Sequence, residues 1–203
     1  MNNVVHNWKV FGLEDSVRAS KYPMAVDVKD VAYGITDTVR KLANCEKGSG
    51  HDQFLHGIIV QFDLTLSNKA WVEAERYHWL EFVSSQSTMH RIAKFDPVMQ
   101  CNEYVDHRLI AILREKIDAY NANPCIENYL YVLYNIPSGF RLTARMTTNY
   151  CQLKTIYSQR KNHRLPEWRE FCKWVEELPH SEFITGGDNN VREQQPDSAA
   201  KSS

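Results

Sequence analysis

Residues 58–66 alternate between apolar and polar side chains, and this pattern restricts the fold more than any other in the chain. Successive side chains of a β-strand point to opposite faces of its sheet, so a period of two predicts a half-buried strand. The predicted buried side consists of Ile58, Val60, Phe62, Leu64 and Leu66. Residues 140–147 alternate in the same way and predict a second strand. Both strands need a layer of other elements over their apolar side.

The remaining elements follow from the same analysis of periodicity. Further strands are predicted at residues 4–11 and 129–134, and helices at residues 27–44, 68–83, 106–120, 149–160 and 166–178. Asn68 and either Thr148 or Asn149 are suited to cap two of these helices, and Pro166 suits a first helical turn. This order of elements predicts an α+β fold, in which a largely antiparallel sheet packs against long helices.

Length and composition predict one folded domain. The chain has 203 residues, of which 43% are hydrophobic and 24% charged, as is usual for a soluble globular protein. The periodic segments all lie within residues 1–184. From Thr185 onward the chain consists mainly of Gly, Asn, Gln, Ser and charged residues, with one valine. Residues 185–203 are therefore predicted to form a disordered tail.

Charge and cysteine content exclude several classes of protein. A net charge of −1 provides no basic field for binding nucleic acid. The five cysteines are an odd number without a CxxC pair, which indicates a reducing, cytoplasmic location rather than a disulfide framework. No apolar run reaches the ~18 residues that a membrane span needs, and the first residues do not resemble a signal peptide. The spacing of His51 and His56 is not that of a closed zinc site, so no metal is expected.

Two groups of polar residues are candidates for a functional site. His51 and His56 flank a turn before the strand at 58–66, and His78 lies in the predicted helix at 68–83. A serine-rich turn follows, with the hydroxyls of Ser84, Ser85, Ser87 and Thr88. Hydroxyls and backbone N–H groups in such a turn suit an anion or the edge of a base. The alternatives are a polar loop at His56, a core histidine at His78 and a simple helix-stop loop at the serines.

Arg160 lies at the end of a buried helical stripe. Asn149, Leu153, Ile156 and Arg160 share one helix face by their spacing. A charged residue on a buried face is costly without a partner, so Arg160 is expected to meet an anion or a carbonyl group. That partner is either a ligand or an internal carboxylate, and the residues alone leave both possibilities open.

Three sequence blocks resemble the flavin-dependent thymidylate synthases, over about residues 48–178. The segment at residues 51–56 resembles the family's His-x-x-Pro-Phe-x-His, one residue shorter and without the proline. The family signature Arg-His-Arg-x-x-Ser-x-Asn-Glu-x-Ser-x-Arg-Tyr aligns on residues 77–90 and retains His78 and Ser87. A third block is matched by Ile136-Pro137, Asn149 and Arg160, and Pro166-Glu167-Trp168-Arg169 resembles the family's Ala-Gln-Trp-Glu more loosely.

The resemblance implies a flavin-dependent thymidylate synthase-like fold and a specific chemistry. Family members are homotetramers with active sites between subunits. FAD carries the hydride, NADPH reduces it, methylenetetrahydrofolate supplies the carbon, and dUMP becomes dTMP. No cysteine nucleophile is required. The protein mainly orients and polarises the reacting groups.

Carried over by position, the resemblance assigns candidate residues to two halves of a site. The flavin side comprises His51, His78 and Asn149, with Trp79 placed to stack on a ring. The nucleotide side comprises Ser87 and Arg160, which are also the predicted catalytic residues. The serine-rich turn adds the substrate-binding candidates Ser85, Gln86, Thr88 and Arg91.

Several arginines of the family are absent from this chain. The positions of the phosphate-binding arginines hold Tyr77, Met89 and Leu133, and a flavin-side arginine is replaced by Cys151. Arg91, Arg141, Arg145 and Arg164 lie on the same elements and are candidates for a shifted anion site. Three functions therefore stay open: a divergent thymidylate synthase, an enzyme that modifies another pyrimidine nucleotide, and a non-catalytic binding or regulatory protein.

Overall fold

The computed structural model describes residues 4–46 and 48–186. At its centre is an antiparallel sheet whose strands are β1 (Val5–Phe11), β2 (Ile59–Ser67), β3 (Glu81–Ser85) and β4 (Arg141–Asn149). Their spatial order is β1-β2-β4-β3, and each neighbouring pair is antiparallel. The predicted α+β class with a largely antiparallel sheet is confirmed.

Helices pack against the apolar face of this sheet. In chain order they are α1 (Leu13–Ala19), α2 (Asp37–Ala43), α3 (Asn68–Ala74), α4 (Thr88–Arg91), α5 (Pro97–Gln100), α6 (His107–Ala122), α7 (Ile126–Tyr134), α8 (Tyr150–Arg160), α9 (Pro166–Glu176) and α10 (Glu182–Thr185). Short 3₁₀ turns occupy Tyr22–Met24, Val28–Asp30, Gln53–Gly57 and Ile92–Lys94. No helix in these ranges is both long and apolar enough to cross a bilayer.

The main core lies between the sheet and helices α3, α8 and α9. The five apolar residues predicted for the inner face of β2 are fully buried. At the centre, the Phe62 ring lies 5.9 Å from Phe171 and 4.7 Å from Trp174 of α9. A second, smaller cluster joins α6 and α7 to the segment around Phe140. Leu142 of β4 packs against both clusters and so links the two parts.

The helix predicted at residues 27–44 is wrong over its first half. α2 begins at Asp37, after Thr36, whose hydroxyl accepts a hydrogen bond from the N–H of Val39. Upstream, the guanidinium of Arg18 donates to the carbonyls of Val28 and Val31 at 2.8 and 2.7 Å. A helix would use these carbonyls for its own backbone bonds. The tertiary contact with Arg18 therefore competes with the local periodicity.

The helix predicted at residues 68–83 is wrong in its second half. α3 ends at Ala74 and is capped by Ser67 rather than Asn68. Residues 81–85 form the edge strand β3, which pairs with β4. Phe82 and Val83 favour an extended backbone, and β4 offers an unpaired edge to receive it. The serine-rich segment is therefore the end of a strand and the start of α4, not a loop that stops a helix.

The strand predicted at residues 129–134 is also wrong, since this segment belongs to helix α7. Its run of apolar residues has no clear period, and a run of this length fits either a strand or a helix. Packing against α6 favours the helix, because Val132 is buried in the second cluster with Leu113 and Ile117 of α6. At the other end of the chain, α10 includes Thr185, and residues 187–203, which contain most of the predicted tail, lie outside the described ranges.

Candidate functional site

The predicted flavin-side residues come from chain segments that meet at one end of the sheet. Asn149 is the last residue of β4 and pairs with Ile59, the first residue of β2. His51 lies in the turn before the 3₁₀ segment that leads into β2. His78 and Trp79 lie in the turn just before β3, which begins beside the last residues of β4. The topology therefore brings all four residues to this end of the sheet.

These four side chains differ in how far they are available to a ligand. His51 and His78 are exposed, and Trp79 is 59% exposed. The alternative of a core position for His78 is therefore excluded. Asn149 is only 7% exposed, and its Oδ1 accepts a hydrogen bond from the N–H of Gln152 at 2.8 Å. Asn149 is thus the N-cap of α8, and of the two predicted candidates for this cap, Thr148 and Asn149, the structure selects the second.

The predicted substrate turn lies at the other end of β3, about 13 Å from its first residue at ~3.3 Å per residue. Ser85, Gln86 and Arg91 are exposed, whereas Ser87 and Thr88 are half-buried. Gln86 is held to β4 by two hydrogen bonds of 2.9 Å with the backbone of Thr143.

The turn continues into α4, where a second anchor is found. The Ser87 Oγ lies 2.9 Å from Nδ1 of His90. The hydroxyl of Tyr129 donates to the carbonyl of Met89, so α4 is attached to α7. With Gln86 fixed on one side and Met89 on the other, the Ser87 hydroxyl has a defined position at the edge of the sheet.

Arg160 meets an internal carboxylate. Its Nη1 donates to Glu73 of α3 at 2.7 Å, and its Nε donates to the hydroxyl of Tyr77 at 2.7 Å. The guanidinium carbon lies 4.7 Å from the ring centre of Trp168 and 5.4 Å from that of Tyr77. The Arg160 side chain is 13% exposed. The ion-pair alternative is therefore realised, while a role for Arg160 in binding nucleotide stays a prediction.

Glu73 is the acceptor at the centre of this cluster. It also accepts from Nε1 of Trp168 at 3.1 Å, and Nε2 of His163 lies 3.4 Å away. Burial opposes the charged form of Glu73, but hydrogen bonds from Lys69 and Trp168 and the charges of Arg160 and His163 outweigh it. The pKa of Glu73 is consequently lowered. The carboxylate is held charged at neutral pH and is used to join α3, α8 and α9.

Comparison with known proteins relates this architecture to solved structures. No protein-family model matches the chain, and no curated protein sequence matches it. The crystal structure of Thymidylate Synthase X from Helicobacter pylori, with FAD and dUMP, superposes with a TM-score of 0.69 at 15% identity, covering 92% of this chain and 98% of the other. A UMP/dUMP methylase, PolB from Streptomyces cacaoi, bound with 5-Br dUMP, superposes with a TM-score of 0.62 at 14% identity, covering 90% and 93%. This chain has the fold of the flavin-dependent thymidylate synthases.

Tyr77 has a structural role beside Arg160. The signature that this segment resembles has an arginine at this position. Here the Tyr77 hydroxyl accepts from Arg160 and donates to the side chain of Gln159 at 3.0 Å. A tyrosine at position 77 therefore helps to hold Arg160 against Glu73. An arginine there would place a second positive charge beside Arg160 instead.

The sequence did not predict three residues that contact the candidate site residues. Glu73 and His163 lie beside Arg160, and His90 lies beside Ser87. Glu73 and Tyr77 are four residues apart, so the helix predicted at residues 68–83 would have placed both side chains on one face. Nothing local indicated that Arg160 and His163 would meet Glu73. Among the described residues, no group of three or more His, Cys, Asp or Glu side chains is arranged to hold a metal ion.

The lowered pKa of Glu73 predicts a specific pH dependence of stability. A carboxyl group with a lowered pKa in the folded state stabilises the protein above its unfolded pKa, here near the ordinary value of 4.5, and this stabilisation is lost as the pH falls through the folded pKa. Urea unfolding of the wild type and of Glu73→Gln should therefore differ more at about pH 7 than at about pH 3. An equal difference at both pH values would contradict a charged, stabilising Glu73.

Proposed function

We propose that this protein is a divergent flavin-dependent thymidylate synthase-like enzyme that methylates dUMP reductively to dTMP. It would use FAD, NADPH and methylenetetrahydrofolate, and it would act in the cytoplasm. The observation that supports this most is the placement of the candidate residues along β3. The flavin-side turn and the substrate turn lie at the two ends of one exposed strand, on a fold that known dUMP-binding proteins share.

The flavin-side residues fit an aromatic, hydrogen-bonding cofactor. The exposed Trp79 offers a ring face for stacking, and the imidazoles of His51 and His78 offer hydrogen bonds. When bound, FAD would supply the hydride chemistry. These side chains would position the flavin ring at the end of the sheet, beside the start of β3.

The nucleotide side fits a pyrimidine nucleotide through different groups from those of the family signature. Ser87 supplies a fixed hydroxyl, and Arg91 supplies a guanidinium one helical turn later. His90, beside them, is a further donor. Serine and arginine are suited to a base carbonyl and to a phosphate, respectively. Arg160 then has a positioning role. It donates to the Tyr77 hydroxyl and so orients the Tyr77–Trp79 turn without contacting the nucleotide.

The proposal includes a homotetramer in which a second subunit completes each site. Phe82 and Val83 of β3 are 46% and 57% exposed, and the outer edge of the strand has no neighbouring strand in the described ranges. Exposed apolar edge strands are usually covered, because they otherwise favour aggregation. A partner subunit on this edge would both cover β3 and enclose the flavin side of the site.

The decisive experiment is titration of the purified protein with FAD and then dUMP. We expect flavin absorbance to remain with the protein after gel filtration, and dUMP to change the flavin spectrum. Trp79→Ala should weaken FAD binding by about 0.5–1.5 kcal/mol, the range for an aromatic contact. Trp8→Ala, which removes an exposed tryptophan from the opposite edge strand, is the matched control. Folded protein that retains no flavin with excess FAD would exclude the proposal, and light scattering of the same sample tests the tetramer.

A second candidate is a binding or regulatory protein without catalytic activity, and the Arg160–Glu73 pair favours it. Arg160, a predicted catalytic residue, is engaged within the protein, and the signature arginines are missing. FAD and dUMP binding without dTMP formation from methylenetetrahydrofolate and NADPH would identify this case. Turnover of another pyrimidine nucleotide in the same assay would identify the remaining alternative, a change of substrate.

A further inference from the structure

A cavity of roughly 1000 Å³ opens between the two hydrophobic clusters. It lies at the end of the β2–β4 ladder where Ser67 pairs with Arg141, and the first half of α9 forms one wall. The flavin-side end of the same ladder, where Ile59 pairs with Asn149, is about 26 Å away along the strands. None of the predicted flavin-side or nucleotide-side residues is among the described residues that line this cavity, but Arg141, a candidate for a shifted anion site, does line it.

The cavity walls are fixed by backbone hydrogen bonds. The N–H of Lys69 donates to the carbonyl of Ser138 at 3.0 Å, and the N–H of Asn102 donates to that of Gly139 at 3.0 Å. A Cβ atom at Gly139 would overlap the side chains of Val105 and Asn102, so these two wall segments are in direct contact. The cavity is therefore preformed and has the size of a site for a small organic molecule.

Two arginines line the cavity and are oriented by carbonyl groups rather than by carboxylates. Arg141 donates to the carbonyl of Met99 at 3.2 Å. Arg169 donates to the carbonyls of His163 and Arg164 at 2.6 and 2.8 Å. A carbonyl oxygen orients a guanidinium without neutralising its charge, and each guanidinium has five N–H donors. Both arginines thus retain charge and donors for an anion in the cavity.

The carboxylates of the lining do not compete for these arginines. Glu170 pairs with Lys173 at 2.8 Å. Glu167 accepts from the N–H of Ser67 at 2.7 Å and from its hydroxyl at 3.1 Å. Glu103 is exposed at the rim and can accept a hydrogen bond from a ligand. With Lys69, the lining has four basic and three acidic side chains, a formal charge of +1.

We propose that this cavity binds a small organic anion at a second site, separate from the flavin and nucleotide site. Its phosphate or carboxylate group contacts Arg141 and Arg169, because planar guanidinium groups match both oxyanions. A hydroxyl or amino group of the same molecule donates to Glu103. The apolar part of the wall, which includes Leu165 and Pro166, contacts its carbon skeleton.

Calorimetry with ribose 5-phosphate, citrate and inorganic phosphate tests the proposal on the full-length protein. We expect ribose 5-phosphate or citrate to bind more tightly than inorganic phosphate, and the better of the two identifies the preferred oxyanion. Arg169→Gln, on the exposed side of α9, should weaken this binding at least tenfold, as expected for loss of a charge-assisted contact. Arg114→Gln, an exposed arginine of α6 outside the cavity, should not change it.

A second variant keeps the test independent of arginine removal. Ser138→Trp, at an exposed position of the wall, should fill the cavity and abolish binding while both arginines remain. FAD and dUMP titrations of Ser138→Trp should match those of the wild type. These titrations test the proposed function, and the calorimetry tests the cavity, so failure of one is distinguished from failure of the other. The proposal is overturned if neither organic anion binds, if Arg169→Gln and Ser138→Trp bind like the wild type, or if dUMP competes for the cavity.

Discussion

Replacing Arg160 with alanine is expected to lower the free energy of unfolding by about 1.5–3 kcal/mol, the range for a hydrogen bond to a charged group. Glu73 would lose its closest cation, and the Arg160 contacts with the rings of Tyr77 and Trp168 would be lost as well. Three helices meet at this cluster, so the loss affects the packing of α3, α8 and α9 together.

The measurement is urea unfolding at neutral pH, with an exposed ion pair as the control. Arg108 pairs with Asp106 at 2.6 Å, but the Arg108 side chain is 87% exposed. Arg108→Ala should therefore change the free energy of unfolding little, because solvent screens an exposed ion pair. A stability effect of Arg160→Ala no larger than that of Arg108→Ala would contradict the structural role.

The same variant separates the two roles that the sequence left open for Arg160. A structural Arg160 lowers stability in the apo protein and leaves the affinity of the folded protein for dUMP nearly unchanged. A nucleotide-binding Arg160 would instead weaken dUMP binding by about 1.5–3 kcal/mol, as for a hydrogen bond to a charged group. Ser87→Ala should weaken dUMP binding by less, because a neutral hydrogen bond contributes about 0.5–1.5 kcal/mol. We expect the structural result for Arg160.

Phe62→Ala is expected to destabilise the protein by about 3–5 kcal/mol, the range for a buried aromatic residue replaced by alanine. Phe62 is fully buried at the centre of β2, and its ring contacts Phe171 and Trp174 of α9. Phe171 and Trp174 are themselves buried, and a packed core relaxes only partly into the space left by a ring. The cost therefore includes a cavity in addition to lost apolar burial.

Phe11→Ala is the matched control for this substitution, since Phe11 lies on the edge strand β1 of the same sheet and is 47% exposed. Its replacement should cost about 1 kcal/mol. Thermal and urea unfolding of both variants measure the difference. Similar losses for Phe62→Ala and Phe11→Ala would mean that α9 does not pack against the centre of the sheet as described.

Elements with a strong local pattern were predicted correctly from the sequence. The alternation at 58–66 predicted both the strand β2 and its buried side, because the pleat of a strand imposes a period of two. A cap at Thr148 or Asn149 and a first-turn proline at Pro166 predicted the starts of α8 and α9 to within one residue, because such preferences depend on neighbouring backbone groups. The three blocks of resemblance likewise predicted the fold that the superposed structures share.

Elements without such a pattern were decided by tertiary contacts. β3 exists because β4 offers it an unpaired edge, and α7 is a helix because α6 receives its apolar face. In the segment before α2, Arg18 donates to the carbonyls of Val28 and Val31, and only a short 3₁₀ turn forms there. In each case the local preference is small, and a contact with a distant segment outweighs it.

The candidate site divides in the same way. The sequence by itself determined which residue types are present along β3 and α8, and it limited the cap of α8 to Thr148 or Asn149. Only the tertiary structure decided that Arg160 meets Glu73, because these residues are 87 positions apart and their contact depends on how α3 packs on α8. An arginine on a buried helix face requires an acceptor, but its sequence neighbours do not specify which one. The packing of α3 on α8 determines that the acceptor is Glu73.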